Sequence, residues 1–456
     1  MRIESLDIIK LHNLYDYNVR FKPDLSFLYG SNGCGKTTIL NIIESIVSGR
    51  IYDLYAWDFE KIRLNYVDDE GDSSAVMSIL ISYNNESICV TFKGSDRTIK
   101  KDDFTRCCEE ADSFGELFYL MMGKYDFLKA IKEEFNYVYL PLNRNSGYFA
   151  NLHLYRKFMR PARLRYVYGY GDYDELGRTR EEEIGRAAEL VQRSYAEASA
   201  MVRSINDEFR NNVLKSLLGT KVQLSNENFI QFLVESTYTT DLDALKGQYL
   251  KLLAQLEILD ESEKDKYNQF FQEYKAQVNN LRSIQRGKKG IPVPISLIYD
   301  YHEIEKIKTV IPLAQEAEEK KAEALKRINL FVTTMNSFIC LDEGDKQLFI
   351  DETGQIKFST QGKDINISVN NLSSGEKQLL IFFANLVFNV NESQSSIFVV
   401  DEPELSLHLS WQKMFIDKAM MINQNMQLIF ATHAPEIVGH HRDKMVKLVK
   451  KMHETY

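Results

Sequence analysis

Residues 30–37 read GSNGCGKT, an instance of the pattern GxxxxGK[ST]. Gly30, Gly33 and Gly35 let the backbone wrap closely round a phosphate. Successive N–H groups and the N-terminus of a following helix then favour the anion. Lys36 can reach the β and γ phosphates, and Thr37 can offer its hydroxyl to Mg²⁺, which keeps most of its other ligands as water or phosphate. Asn32, Gly33, Cys34, Gly35, Lys36, Thr37 and Thr38 are therefore the candidate phosphate-binding residues. The flanks agree. Leu25-Ser26-Phe27-Leu28-Tyr29 is a short apolar strand, and from Thr37 to Val47 the residues Ile39, Leu40, Ile42, Ile43 and Ile46 recur at helical spacing. A glycine-rich turn matching by accident would lack that strand-loop-helix setting.

Outward from the loop, 2–9, 17–21, 61–67, 75–83 and 87–93 read as strands, the last two joined by Asn84-Asn85-Glu86, and FNYVYLPL at 135–142 reads as another. After about residue 150 the pattern turns helical. Ile184, Ala188, Val191, Tyr195, Ala198, Val202, Ile205 and Phe209 form one stripe. Leu242, Leu245, Tyr249, Leu252, Leu256 and Leu259 alternate spacings of three and four, which is heptad periodicity. The polar run Asp260–Asp265 is expected to break that helix before Tyr267, Phe270, Tyr274, Val278 and Leu281 resume the stripe. RGKKGIPVP (286–294) reads as a loop, and a helix over 297–338 is expected to kink or break near Pro312. Strands return at 346–369, followed by a helix over 374–390 and two buried-type strands, Ser396–Val400 and Gln427–Ala431. The fold class is α/β: a phosphate-loop head with a mixed sheet and an antiparallel lobe, in two parts, 1–150 and 336–456, split by a mainly helical insertion at 151–335.

The 456 residues include 65 acidic and 56 basic side chains, for a formal net charge of −9, so a generally basic nucleic-acid coat is excluded. With 44% apolar and 27% charged residues, the chain has the composition of a globular protein with a sizeable core. No apolar run approaches the ~20 residues of a membrane helix, and the opening MRIESLDIIK lacks the apolar segment of a signal peptide. Cys34, Cys89, Cys107, Cys108 and Cys340 form neither a disulfide framework nor a paired metal motif. A cytoplasmic location is the expectation.

Three further segments carry chemistry. SIFVVDEPELSLH (396–408) places Asp401 and Glu402 at the carboxyl end of an apolar strand, where open α/β sheets bind ligands. Asp401 would hold Mg²⁺ through water near Thr37, and Glu402 would activate water as general base; the competing reading is an acidic surface turn. LSSGEKQLLIFF (372–383) runs from a polar loop into an apolar helix, with Ser373, Ser374 and Gly375 at a second helix N-terminus suited to phosphate. Taken alone, a simply capped helix explains it better. QLIFATHAPE (427–436) ends a strand at Thr432-His433; His433 is a candidate donor to the γ-phosphate or orienter of the attacking water, though a lone strand-end histidine is more often structural.

GSNGCGKT, LSSGEKQ, VVDEPELSLH and ATH, in this order, resemble the Walker A, signature, Walker B with D-loop, and switch-histidine motifs of ABC-type ATPases, of the class of the overcoming-lysogenisation-defect and AAA15-like proteins. The resemblance covers about 1–150 and 340–436. It implies ATP with Mg²⁺ as cofactors and head-to-tail homodimers or higher homo-oligomers. Lys36, Thr37, Asp401, Glu402 and His433 would act from one subunit, and Ser373 and Gly375 would complete the phosphate cage from the other. Lys36, Glu402 and His433 are then the catalytic candidates, and Thr37 and Asp401 the metal ligands. Two positions depart from the pattern. Asn143 or Arg144, in YLPLNRN, stands where a glutamine is expected, and His12 is the candidate contact to adenine or the α-phosphate.

The expected function is a regulatory ATPase. A transporter has a far shorter helical insert, and an SMC-type repair ATPase needs long arms, whereas 242–281 would reach only ~60 Å even unbroken. The chain most resembles the ATPase subunit of Septu-type anti-phage systems, whose separate nuclease partner is of HNH type; the PARIS-type ATPase subunit, with a TOPRIM effector, is second, and a retron-associated version of the Septu subunit is a further alternative. No nuclease constellation is expected among the eight histidines. A slow-hydrolysing nucleotide-bound scaffold and a RecF-like DNA-repair ATPase are the alternatives. The segment 152–173, in which five basic residues interleave with tyrosines and a phenylalanine, is left open between nucleic-acid contact, a protein interface and a structural role. Arg442, Lys444, Lys447, Lys450 and Lys451 form a second basic patch, read as a partner site or a solvated helix face.

Overall fold

The computed structural model describes residues 1–68, 76–111, 114–141, 180–219, 241–255, 260–285, 294–340, 346–360, 363–365, 367–389, 395–423 and 425–453. The segment 152–173 and both candidates for the missing glutamine, Asn143 and Arg144, lie outside them. Two compact units are present: 1–195 with 327–456, and 196–326. The division falls inside two long helices, where the sequence reading set its limits at 150 and 335.

In the first unit, a five-stranded sheet runs in the order β14 (Met445–Lys447), β3 (Leu25–Tyr29), β13 (Met426–Ala431), β12 (Ser396–Asp401), β8 (Tyr137–Pro141), with every pairing parallel. The strands are near-continuous apolar runs because both faces are covered. On β12 and β13, Ile397, Val399, Ile429 and Ala431 enter one core, and Phe398, Val400, Leu428 and Phe430 enter another. The first core also contains α1 (Lys36–Val47) and the inner residues of an antiparallel sheet with the order β15 (Lys451–Met452), β2 (Tyr15–Arg20), β1 (Arg2–Leu11), β4 (Lys61–Val67), β5 (Val76–Tyr83), β6 (Ser87–Phe92), β7 (Ser95–Lys100). The second contains α9 (Ser374–Ala384), α10 (Leu409–Ile422), a three-stranded sheet, β11 (Lys363–Ile365), β10 (Ile356–Thr360), β9 (Lys346–Ile350), and the head-side ends of the two long helices, α5 (Arg180–Gly219) and α8 (Ile295–Ile339). The mixed α/β class with a mainly helical insertion is the one the sequence predicts.

Several local expectations are corrected. The stretch from 95 to 134, unassigned above, holds β7 and three helices, α2 (Lys101–Glu110), α3 (Phe114–Lys124) and α4 (Asp126–Glu134). Their weak periodicity hides them: on α2 only Phe104, Cys107 and Cys108 face the core. The helix expected over 374–390 is α-helical only to Ala384, and Asn385–Asn389 continue as a π turn. The basic tail is not a helix face. Arg442 and Lys444 lie in a short 3-10 turn, Lys447 in β14 and Lys451 in β15; these strands extend the parallel sheet beside β3 and the antiparallel sheet beside β2.

In the second unit, α6 (Leu242–Gln255), α7 (Glu261–Gln285) and α8 share a core of Leu245, Phe271, Tyr274, Val278, Leu297, Tyr301, Ile304, Ile307 and Ile311. Two separate helices, α6 and α7, stand where the sequence predicts a break, and the polar run at 260–265 begins the second. The Asp260 carboxylate accepts the Glu263 N–H at 2.7 Å as an N-cap. Pro312 does not break α8, which runs through it; the buried residues Ile304, Ile307, Ile311, Ala314 and Ala317 on either side offset the one lost backbone bond. Among the described residues, no helix is long and apolar enough to cross a membrane.

Candidate functional site

The loop at 30–37 links β3 to α1 and turns at two glycines of positive φ, Gly33 at 73° and Gly35 at 99°. Gly35 is doubly constrained, since a Cβ there would stand 2.8 Å from the Tyr17 hydroxyl. That hydroxyl donates to the Cys34 carbonyl at 3.0 Å, and burial raises the Tyr17 pKa to about 12, so it remains a donor across the ordinary range. Lys36 is 6% exposed and folds back, its ammonium donating to the Gly30 carbonyl at 3.1 Å. The loop is held in its wrapped form from below and within.

β12 ends at Asp401, and the Thr37 hydroxyl donates to Asp401 Oδ2 at 3.0 Å. Two hard oxygens from the loop and the strand end thus meet. They suit the small number of protein ligands a hydrated Mg²⁺ takes. Glu402 follows in the left-handed region, φ 49°, with its N–H donating to the Ala431 carbonyl at 2.8 Å. A non-glycine residue in this region stores strain, a common feature of functional turns. It turns the Glu402 side chain into a cleft of about 750 Å³, which is lined also by Asn32, Gly33, Cys34, Gly35, Lys36, Thr37, Thr38 and His433.

Three residues of that cleft were missed by sequence reasoning, Glu404, Leu405 and Ala434. Glu404 is the more informative. Its carboxylate accepts the Thr432 hydroxyl at 2.8 Å and the His433 N–H at 2.7 Å, so it ties the loop after β12 to the loop after β13. The second glutamate of Asp-Glu-Pro-Glu was the available signal. A further tie runs from the buried Gln378 amide on α9 to the Pro403 carbonyl at 2.8 Å.

The other expected residues stand apart from this cleft. Ser373 caps α9 in a full capping box: its Oγ accepts the Glu376 N–H at 3.3 Å, and Glu376 accepts the Ser373 N–H at 2.8 Å. Ser373 and Ser374 are exposed, whereas Gly375 is buried, and a Cβ at Gly375 would lie 2.6 Å from the Ser406 carbonyl. The close approach that requires this glycine is to the chain's own loop. His12 lies in the bulged turn between β1 and β2, φ 55°, with its N–H donating to the Asp58 carbonyl at 2.7 Å, and does not line the cleft. From the other side, the Lys450 ammonium, lying 4.8 Å from the Tyr15 ring centroid, donates to the Gly33 carbonyl at 2.5 Å.

A wrapped glycine loop with its lysine and threonine, facing paired acids at the end of a parallel strand, defines a nucleotide-triphosphatase class of site. The chain belongs to the AAA ATPase domain family, whose model matches residues 1–438. It is 26% identical over 115 residues to the Retron Vc95 probable ATPase of Vibrio cholerae serotype O1 biovar El Tor, covering 23% of this chain and 22% of that protein. It is 32% identical over 83 residues to the Retron Ec83 probable ATPase of Escherichia coli, covering 16% and 15%. The matched stretches thus span less than a quarter of those relatives' own length. The Smc head domain of Pyrococcus furiosus, solved with an extended coiled coil and bound to the C-terminal domain of ScpA, aligns over 99% of this chain and 96% of that one at 13% identity and a TM-score of 0.39.

Proposed function

We propose that this chain binds and hydrolyses ATP as the regulatory subunit of a bacterial anti-phage defence complex, and that nucleotide-dependent head-to-tail pairing of two copies controls a separate nuclease. The observation that carries the ATPase part is the convergence of Lys36, Thr37, Glu402 and His433 on one cleft, with Thr37 bonded to Asp401. In this reading Lys36 and the loop N–H groups hold the β and γ phosphates, and Thr37 and Asp401 hold Mg²⁺, which would neutralise charge on the phosphates. Glu402 accepts a proton from the attacking water, and His433 orients that water or donates to the γ-phosphate. The pairing part is supported by the exposed cap of α9. Ser373 and Ser374 present a helix N-terminus outside the cleft of their own chain, where a second copy's triphosphate can meet it. The defence role is supported by the names of the retron ATPases to which the chain is similar. A nuclease of HNH type is the expected partner, with a TOPRIM type as the second choice.

The test is phosphate release with ATP and Mg²⁺. Wild type should turn over, and Glu402→Gln should lose roughly 10²-fold or more of the rate while still binding ATP. Equal inertness of both, with ATP retained, would establish a scaffold instead. Co-expression with the product of the adjacent open reading frame should give a complex that responds to nucleotide; a neighbourhood with no nuclease would overturn the defence role.

A further inference from the structure

Away from the cleft, two adjacent histidines converge on one carboxylate. His440 and His441 follow α11 (Pro435–Val438), after Gly439 has reversed the backbone at φ 52°. Neighbouring side chains normally diverge, yet here the imidazole centroids are 3.9 Å apart. Both rings turn their Nε2 to Oδ1 of Asp417 on α10, at 2.8 Å from His441 and 3.6 Å from His440. All three donor atoms lie within 4.8 Å of one another.

We propose that Asp417, His440 and His441 form a site for a zinc-class transition-metal dication. A tetrahedral ion with bonds of ~2.0–2.1 Å places its ligand atoms about 3.3 Å apart, between the two separations found. Two imidazoles with one carboxylate make a borderline donor set, which selects zinc, cobalt or nickel over magnesium or calcium. Exposure grades across the site. The side chains of His441, Asp417 and His440 are 16%, 40% and 73% exposed, so the bound ion keeps an outward position for water. The next cation in sequence, Arg442, lines a different cavity, of about 600 Å³, with Tyr29, Met445 and Lys447. The site joins α10, which follows the Asp401–Glu402 loop, to the turn that follows His433. A metal there clamps together the two segments that carry the cleft's acids and its histidine. The proposal does not depend on the nature of the reaction in the cleft.

The test uses the full chain, stripped with chelator and held in excess Mg²⁺ so that the oxygen site at Thr37 and Asp401 is not scored. Co²⁺ titration should show one ion per chain, with the visible absorption of a four- or five-coordinate centre, and Zn²⁺ should displace it. The melting temperature should rise with Zn²⁺. His440→Ala, at the most exposed ligand, should fold normally by circular dichroism and lose affinity roughly tenfold or more, as should Asp417→Asn. His302→Ala, in the second unit, should change nothing. Absence of the absorption at micromolar Co²⁺, or equal affinity in the wild type and His440→Ala, would overturn the site and leave a simple His441–Asp417 hydrogen bond.

Discussion

Glu404 shows how much of the site rests on a residue to which the sequence reading gave no role, although it lies within VVDEPELSLH. It spends both carboxylate oxygens on the Thr432–His433 segment, so its removal frees the histidine loop and leaves the His433 N–H without that acceptor. Glu404→Ala is expected to cost about 1–3 kcal/mol of stability. It should also lower the rate of phosphate release much more than the affinity for ATP, because the phosphate loop itself is untouched. Glu404→Gln keeps the shape and one acceptor, and should fall between wild type and alanine in both denaturant unfolding and turnover. Equal turnover in wild type and Glu404→Ala would show that the position of His433 does not matter to the reaction. Glu402, two residues earlier, differs in kind: its positive φ holds its side chain towards the cleft.

At the scale of the element, α9 is a helix whose start is set by charge. Glu376 closes the capping box and also pairs with the Lys346 ammonium at 2.6 Å. Burial pushes its pKa up, but Lys346 and the Ser373 donors outweigh burial, and the net direction is below the ordinary carboxylate value of 4.5. The folded state therefore holds its proton less tightly than the unfolded chain. The stabilisation is complete above about pH 4.5 and is lost as pH falls through the depressed value. Glu376→Gln should lower stability by about 1–2 kcal/mol at pH 7. The two proteins should approach equal stability in acid, as measured by denaturant midpoints across pH. A constant difference at every pH would mean that charge is not the cause. α8 makes a different point, because its apolar stripe keeps it helical through Pro312.

At the largest scale, the first unit is closed by its last described residues. β14 pairs with β3 and β15 with β2, Leu448 is buried between them in sequence, and Lys444 pairs with Asp24 at 2.6 Å. One short strap thus covers an edge of both sheets. Deleting residues from Met445 onward should cost roughly 3 kcal/mol or more, from buried area alone, read as a lower melting temperature. Pairing of copies belongs to this scale too. With Glu402→Gln and ATP·Mg²⁺, light scattering after gel filtration should give twice the monomer mass. Ser373→Arg in that background should return the monomer without loss of ATP from it. A dimer that persists in Ser373→Arg would place the contact elsewhere.

The sequence by itself determined the chemistry. Glycine spacing, a lysine, a threonine and two acids at a strand end are local signals, because a phosphate loop works through its own backbone and the alternation of a buried strand is written in four or five consecutive residues. It also marked the insertion, since helical stripes are periodic over many turns. Tertiary structure alone decided which distant residues meet. The bond from Thr37 to Asp401, the two from Glu404 to the His433 loop, and Tyr17 beneath Gly35 join segments whose separation in the chain carries no pattern. It also decided the tail: three-residue and two-residue strands have no periodicity to detect, and lysines on them look the same as lysines on a helix. They became strands because β3 and β2 each left an edge whose backbone groups they could pair.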